Sequence, residues 1–107
     1  MSIEVPLDGG RTQMIERQVF HEDGEDYIRF FSVIGPITDF DERRFKAALR
    51  LNWTMLFGAF ALFDDQLAIV DTFLIREADP DEVRLSVGHM AKTADRYEQL
   101  TFGTDKN

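Results

Sequence analysis

The chain has 107 residues, enough for one domain with one core, and its 44% hydrophobic and 30% charged residues are typical of a globular fold. The lack of cysteine excludes disulfides, thiolate metal sites and cysteine nucleophiles, and fits a reducing cytoplasm. A net charge of −8 argues against nucleic-acid binding, and the absence of a signal peptide or a long apolar run predicts a single cytoplasmic domain over residues 1–107 with no membrane contact.

The first part of the chain predicts strands. A short edge strand is expected over 3–7, because Pro6 cannot donate a hydrogen bond to a neighbouring strand. Two longer strands follow over 11–21 and 26–37, and the second is rich in aromatic and branched residues. The polar turn between them contains an Asp-Gly pair, which is typical of a two-residue hairpin.

A helix and a second hairpin are predicted next. Asp39 and Glu42 have the spacing of a capping box, so the helix is expected to begin after Asp39 and to run to about Met55. Two apolar segments, 57–63 and 67–76, then lie on either side of a short Asp-Asp-Gln turn. They are expected to pair as the second hairpin.

The last element is the helix with the clearest start signal. Asp79 can cap it, Pro80 suits its first position, Glu82 completes the box, and Gly103 is a candidate C-cap. The expected fold class is α+β, with a twisted antiparallel sheet of two hairpins and two helices in the order β-β-α-β-β-α. The residues that recur at helical spacing predict the core side of this helix: Val83, Val87, Met90, Ala91, Ala94, and Tyr97 or Glu98 onwards to Leu100.

The chain has more apolar surface than one core requires. The strand at 26–37 is apolar on both sides, and the first helix carries an apolar arc of roughly 240° where about 100° is enough for a surface helix. One interpretation is that strands often expose apolar residues and that the lead-in covers one face. The other is an interface with a second copy or a client strand. The predicted partner-binding residues are Phe20, Phe30, Phe31, Leu51, Trp53 and Met55.

The polar residues give little support for catalysis or metal binding. His21 and His89 lack the local spacing of metal ligands, and the acidic turn around Asp23 lacks the pattern of a calcium loop. Asp71 interrupts an apolar strand, which fits a packing compromise paired to an arginine or a device against wrong pairing. We therefore predict no catalytic residues, no cofactor and no metal. Asn52 lies in the apolar face of the first helix, where it either fixes that helix to a strand end or specifies an interface.

Several short motifs along the chain carry a family resemblance. They are Gly10-Arg11-x-Gln13, Leu49-x-Leu51-Asn52, Gly58-x-Phe60-Ala61-Leu62, the strand from Leu67 to Leu74, Asp79-Pro80-Asp81-Glu82 and Ala94-Asp95-x-x-Glu98-x-Leu100. From Arg11 onward the chain resembles the type III secretion chaperone-like superfamily, which includes the YbjN-like proteins of bacteria. The resemblance implies a homodimer without catalytic residues, in which the helix from Asp41 to Met55 is the dimer element.

The resemblance also sets the functional expectation. The N-terminal helix of true secretion chaperones has no counterpart in this sequence, which favours relatives of unestablished role over an effector chaperone. The expected function is a chaperone-like, non-catalytic protein-binding module. Its alternatives are an accessory or regulatory subunit of a larger bacterial assembly and a small-molecule-binding protein.

Overall fold

The computed structural model describes residues 1–100 and shows one antiparallel sheet with two helices. The strands lie in the order β1-β2-β3-β5-β4, and every neighbouring pair is antiparallel. The predicted α+β class is confirmed, with the lead-in strand added at one edge of the sheet. The elements are β1 (Ser2–Pro6), β2 (Thr12–Glu22), β3 (Glu25–Pro36), α1 (Glu42–Thr54), β4 (Ala59–Phe63), β5 (Gln66–Leu74) and α2 (Pro80–Glu98).

Two local sequence signals, the Asp-Gly turn and the Asp-Pro helix start, form the structures that they predict. Asp23 and Gly24, between β2 and β3, have φ of 52° and 80°. Positive φ at both central residues is what a tight hairpin turn requires. At the start of α2, the Asp79 side chain accepts a hydrogen bond from the Asp81 N–H at 2.9 Å, and Pro80 follows the cap.

Three boundaries differ from the prediction. Asp41, not Asp39, caps α1 by accepting a hydrogen bond from the Arg44 N–H at 2.9 Å. Asp39 belongs instead to a 3-10 turn over Ile37–Asp39, which lies between β3 and the helix. Strand β4 begins later than expected, since Gly58 has a φ of 75° that a regular strand does not allow. Strand β5 ends at Leu74 and a second 3-10 turn follows. The predicted C-cap lies outside the described residues.

The core lies between α2 and one face of the sheet, called the helix-side face below. Strand residues that point to it include Ile15, Phe30 and Ile69, all of which are buried. Met90 and Ala91 of α2 are fully buried against them. Phe30 is only 5% exposed, so its predicted role in partner binding is wrong: α2 covers the side of β3 on which it lies.

A small polar network lies under the C-terminal end of α2. The Gln13 amide donates to the Ser32 hydroxyl at 2.9 Å and to the Glu98 carboxylate at 3.3 Å. Burial raises the pKa of the Glu98 carboxyl, the hydrogen bond from Gln13 lowers it, and the charge of Asp95 raises it further. The protonated form of Glu98 is therefore favoured by folding.

Glu98→Gln is expected to stabilise the protein at neutral pH. A carboxyl with a raised pKa in the folded state lowers stability as pH rises from its ordinary pKa through the raised one. The neutral amide avoids that loss, so we expect Tm to rise by about 2–4 °C at neutral pH after allowing for partial exposure. The gain should vanish at a pH below the ordinary Glu value, where both states are protonated. Thermal melts of Glu98→Gln and of the exposed control Glu4→Gln, which should show no such gain, test this at both pH values.

Candidate protein-interaction site

The sheet has a second face that neither helix covers within residues 1–100. Phe31 and Val70 are cross-strand partners on this open face, flanked in the same row by Glu16 of β2 and Ala59 of β4. Both helices are accounted for elsewhere, since α2 packs on the other face and α1 packs beside the edge strand β4. The open face is therefore apolar at its centre without a covering layer.

Aromatic side chains on the open face partly cover one another. The rings of Phe31 and Phe63 are 5.0 Å apart, and Phe20 stacks on Tyr27 at 5.4 Å. The Arg29 guanidinium lies 4.4 Å from the centre of the Phe20 ring. The predicted contact residues Phe20 and Phe31 thus lie on this face, half-buried by their neighbours.

Asn52 attaches α1 to the edge strand β4. Its side-chain oxygen accepts a hydrogen bond from the Phe60 N–H at 2.7 Å, and its amide donates to the Phe60 carbonyl at 3.2 Å. The N–H and the carbonyl of Phe60 point away from β5, and they are therefore available to the Asn52 side chain. Asn52 therefore fixes the helix to a strand, which is the first of the two roles that the sequence left open.

Helix α1 exposes most of its apolar residues. Within it only Ala48 is buried, whereas Trp53 is 92% exposed and Leu49 is 66% exposed. Leu56, just past the helix end, is 84% exposed, and Leu62 of the adjacent strand is also exposed. We call Leu49, Trp53, Leu56 and Leu62 the α1 patch. Isolated exposed leucines are ordinary, but a nearly bare tryptophan next to several of them is not.

An apolar groove of about 380 Å³ lies between α1 and β4. Leu49 and Leu62 belong to both the groove and the α1 patch, so the two features are continuous. Among residues 1–100, no charged side chain lines the groove, and its volume lies in the ~300–1,000 Å³ range of pockets that accept ligand groups. The lining residues are Ile37, Phe45, Ala48, Leu49, Phe60, Ala61, Leu62 and Leu67.

The helix residues predicted from the sequence divide between surface and core. Trp53 and Leu51 are exposed, while Met55 is half-buried and packs against the core. Sequence reasoning missed Leu49 because its position on the helical wheel placed it with the core-facing residues. Ala48 lies on the side of α1 that packs on the core, and the described residues 1–100 leave the side with Leu49 uncovered.

The two histidines and Asp71 form ordinary structural contacts. His21 pairs with Asp26 at 2.7 Å on the exposed hairpin, and the ring of His89 lies 5.7 Å from that of Phe57. Asp71 accepts a hydrogen bond from the Ser86 hydroxyl at 2.6 Å, so its partner is a serine of α2 and not an arginine. In the described part of the chain, no group of three His, Cys, Asp or Glu side chains is arranged to hold a metal ion.

Neither family models nor curated proteins provide a name for the function of this chain. Neither helix between residues 1 and 100 is long and apolar enough to cross a membrane. No protein-family model matches the chain. A search of curated proteins also finds no significant match, so the α1 patch, the groove and the open sheet face stand as the features that bear on function.

Proposed function

We propose that this chain is a non-catalytic protein-binding module that forms a homodimer in the cytoplasm through the α1 patch, as the type III secretion chaperone-like and YbjN-like proteins would lead one to expect. The observation that carries the proposal is the 92% exposure of Trp53 beside an apolar groove on the same helix. Tryptophan is the residue most enriched at the centres of protein interfaces.

The α1 patch and the groove are complementary to each other. Trp53 is one helical turn, about 6 Å along the axis, from Leu49, which lines the groove. When two copies of α1 pack antiparallel, Trp53 of each copy lies over the groove of the other. In a two-fold dimer each contact occurs twice, so one projecting ring and one groove per chain are sufficient.

Charge affects this association in a predictable direction. Each copy carries a net charge of −8, and α1 itself bears four cationic side chains, Arg43, Arg44, Lys46 and Arg50, against one anionic side chain, Glu42. Both the whole chains and the two facing helices therefore repel each other weakly. Because salt screens exposed charges over about 10 Å at 0.1 M, added salt should strengthen the dimer.

Sedimentation equilibrium of the full chain tests the proposal. We expect a dimer mass that shifts toward the monomer on dilution and toward the dimer when salt is added. A monomer mass that persists to millimolar concentration in high salt would contradict the proposal.

The open sheet face supports a second candidate, binding of a client segment or a permanent partner subunit. It carries a shallow pocket of about 340 Å³ that adjoins the groove, since Ala61 and Leu62 line both, and Phe63 at its edge is 45% exposed. Purification of the native complex from the host should reveal a stoichiometric partner whose yield falls in Phe63→Ser. That variant should keep the dimer mass, because Phe63 is not part of the α1 patch.

A further inference from the structure

Helix α2 leaves one corner of the helix-side face uncovered. Strand β1 has five residues and pairs with the first part of β2, whose eleven residues extend well beyond it. A cleft of about 480 Å³ lies at this corner, between the sheet and the N-terminal half of α2. Its apolar surface comes from Ile3, Ile28 and Phe30 on the sheet and from Ile75, Val83 and Val87 on the other side.

Two arginines, Arg17 and Arg84, also line this cleft. Arg17 lies on the helix-side face, opposite Phe30 in the β2–β3 register, and is partly buried. Within residues 1–100 its side chain makes no ion pair with a carboxylate, and its hydrogen bond goes to the Met1 sulfur at 2.7 Å. A thioether is a weak acceptor, so the guanidinium keeps most of its capacity to bind an anion.

Three other arginines of the chain pair with carboxylates. Arg11 pairs with Asp95 at 3.0 Å and Arg76 with Glu25 at 2.8 Å. Arg84, the second arginine of the cleft, pairs with Asp81 at 3.4 Å and is well exposed. In a chain of net charge −8, a partly buried arginine without a carboxylate partner beside apolar residues marks a local site for a negative group.

We propose that this cleft binds an amphipathic carboxylate, such as a medium-chain fatty acid. The alkyl chain lies against Ile28, Val83 and Val87, and the carboxylate accepts hydrogen bonds from the Arg17 guanidinium. An apolar cavity with a small number of placed polar groups is the usual form of a small-molecule site. The cleft is separate from the α1 patch, since no residue lines both.

Isothermal titration calorimetry with the full chain tests the site, using decanoate and decanol as probes. We expect decanoate to bind the unmodified chain more tightly than decanol. Arg17→Met keeps the apolar stem and removes the charge, so it should weaken decanoate binding about tenfold and leave decanol binding nearly unchanged. Arg17→Lys should restore most of the decanoate affinity.

Arg43→Gln, on exposed α1, is the matched control and should bind decanoate as the unmodified chain does. The proposal is overturned if decanoate does not bind below its micelle concentration, if the two probes bind equally, or if Arg17→Met leaves the preference for decanoate intact. Sedimentation of the same variants keeps this result distinct from the dimer proposal, because Arg17 lies outside the α1 patch.

Discussion

Replacing Asn52 by alanine is expected to lower the free energy of unfolding by about 2–3 kcal/mol. The side chain of Asn52 satisfies both the N–H and the carbonyl of Phe60, at 2.7 and 3.2 Å. Alanine leaves two backbone groups of β4 unpaired where α1 hinders access of water. Because the Tyr97 hydroxyl still donates to the Arg44 carbonyl at 2.7 Å, we also expect only the C-terminal end of α1 to move away from β4 and to distort the groove.

Urea unfolding followed by circular dichroism measures the change. Thr54→Ala is the matched control: its hydroxyl donates to the Leu51 carbonyl at 3.2 Å on the exposed side of the same helix. It should cost no more than about 0.5 kcal/mol. Asn52→Asp retains the acceptor but not the donor, so it should fall between the two. A loss for Asn52→Ala as small as that of Thr54→Ala would show that the two bonds contribute little.

Replacing Trp53 by serine is expected to weaken self-association by at least a factor of about a hundred. The proposed dimer places the indole in the groove of the partner, where it would bury more apolar area than any other exposed side chain of α1. Stability of the isolated monomer should be unchanged, because a side chain that is 92% exposed contributes almost no contacts within its own chain. Weaker self-association with unchanged monomer stability would identify Trp53 as an interface residue and not a structural one.

Leu85→Ser provides the control for the tryptophan variant. Leu85 is 64% exposed on α2, close to the 66% of Leu49, but it lies outside the α1 patch and the groove. Sedimentation should show an unchanged dimer for Leu85→Ser and a weakened one for Leu49→Ser. If Trp53→Ser sediments as the unmodified chain does, α1 is not the dimer interface, even if a dimer forms elsewhere.

Local sequence signals predicted most of the elements because their physical causes are local. The Asp-Pro start of α2 and the Asp-Gly turn of the first hairpin each depend on the φ preferences and hydrogen bonds of a few neighbouring residues. The shift of the α1 cap from Asp39 to Asp41 does not follow from the preferences of a few neighbouring residues. Both aspartates can cap a helix, and the length of the turn after β3 decides between them.

The candidate site was predicted only in part. Trp53 was identified because the apolar arc of the first helix is wider than contact with one core requires. The rest of that arc must be covered by another surface. Leu49 was missed and Phe30 was wrongly included, since helical or strand periodicity shows which residues share a face but not which face is covered. Arg17 gave no signal at all, because the cleft beside it brings together strands and a helix that are distant in the sequence.

The sequence by itself determined the identity and order of the strands and helices, the excess of apolar residues and the acidic charge. Those properties follow from residue type and spacing along the chain. The tertiary structure alone decided where the excess lies, because α2 covers a single face of the five-stranded sheet, whereas α1 packs at the edge strand β4 and against the end of α2. A choice between two equally apolar faces depends on contacts between distant segments, which periodicity does not encode.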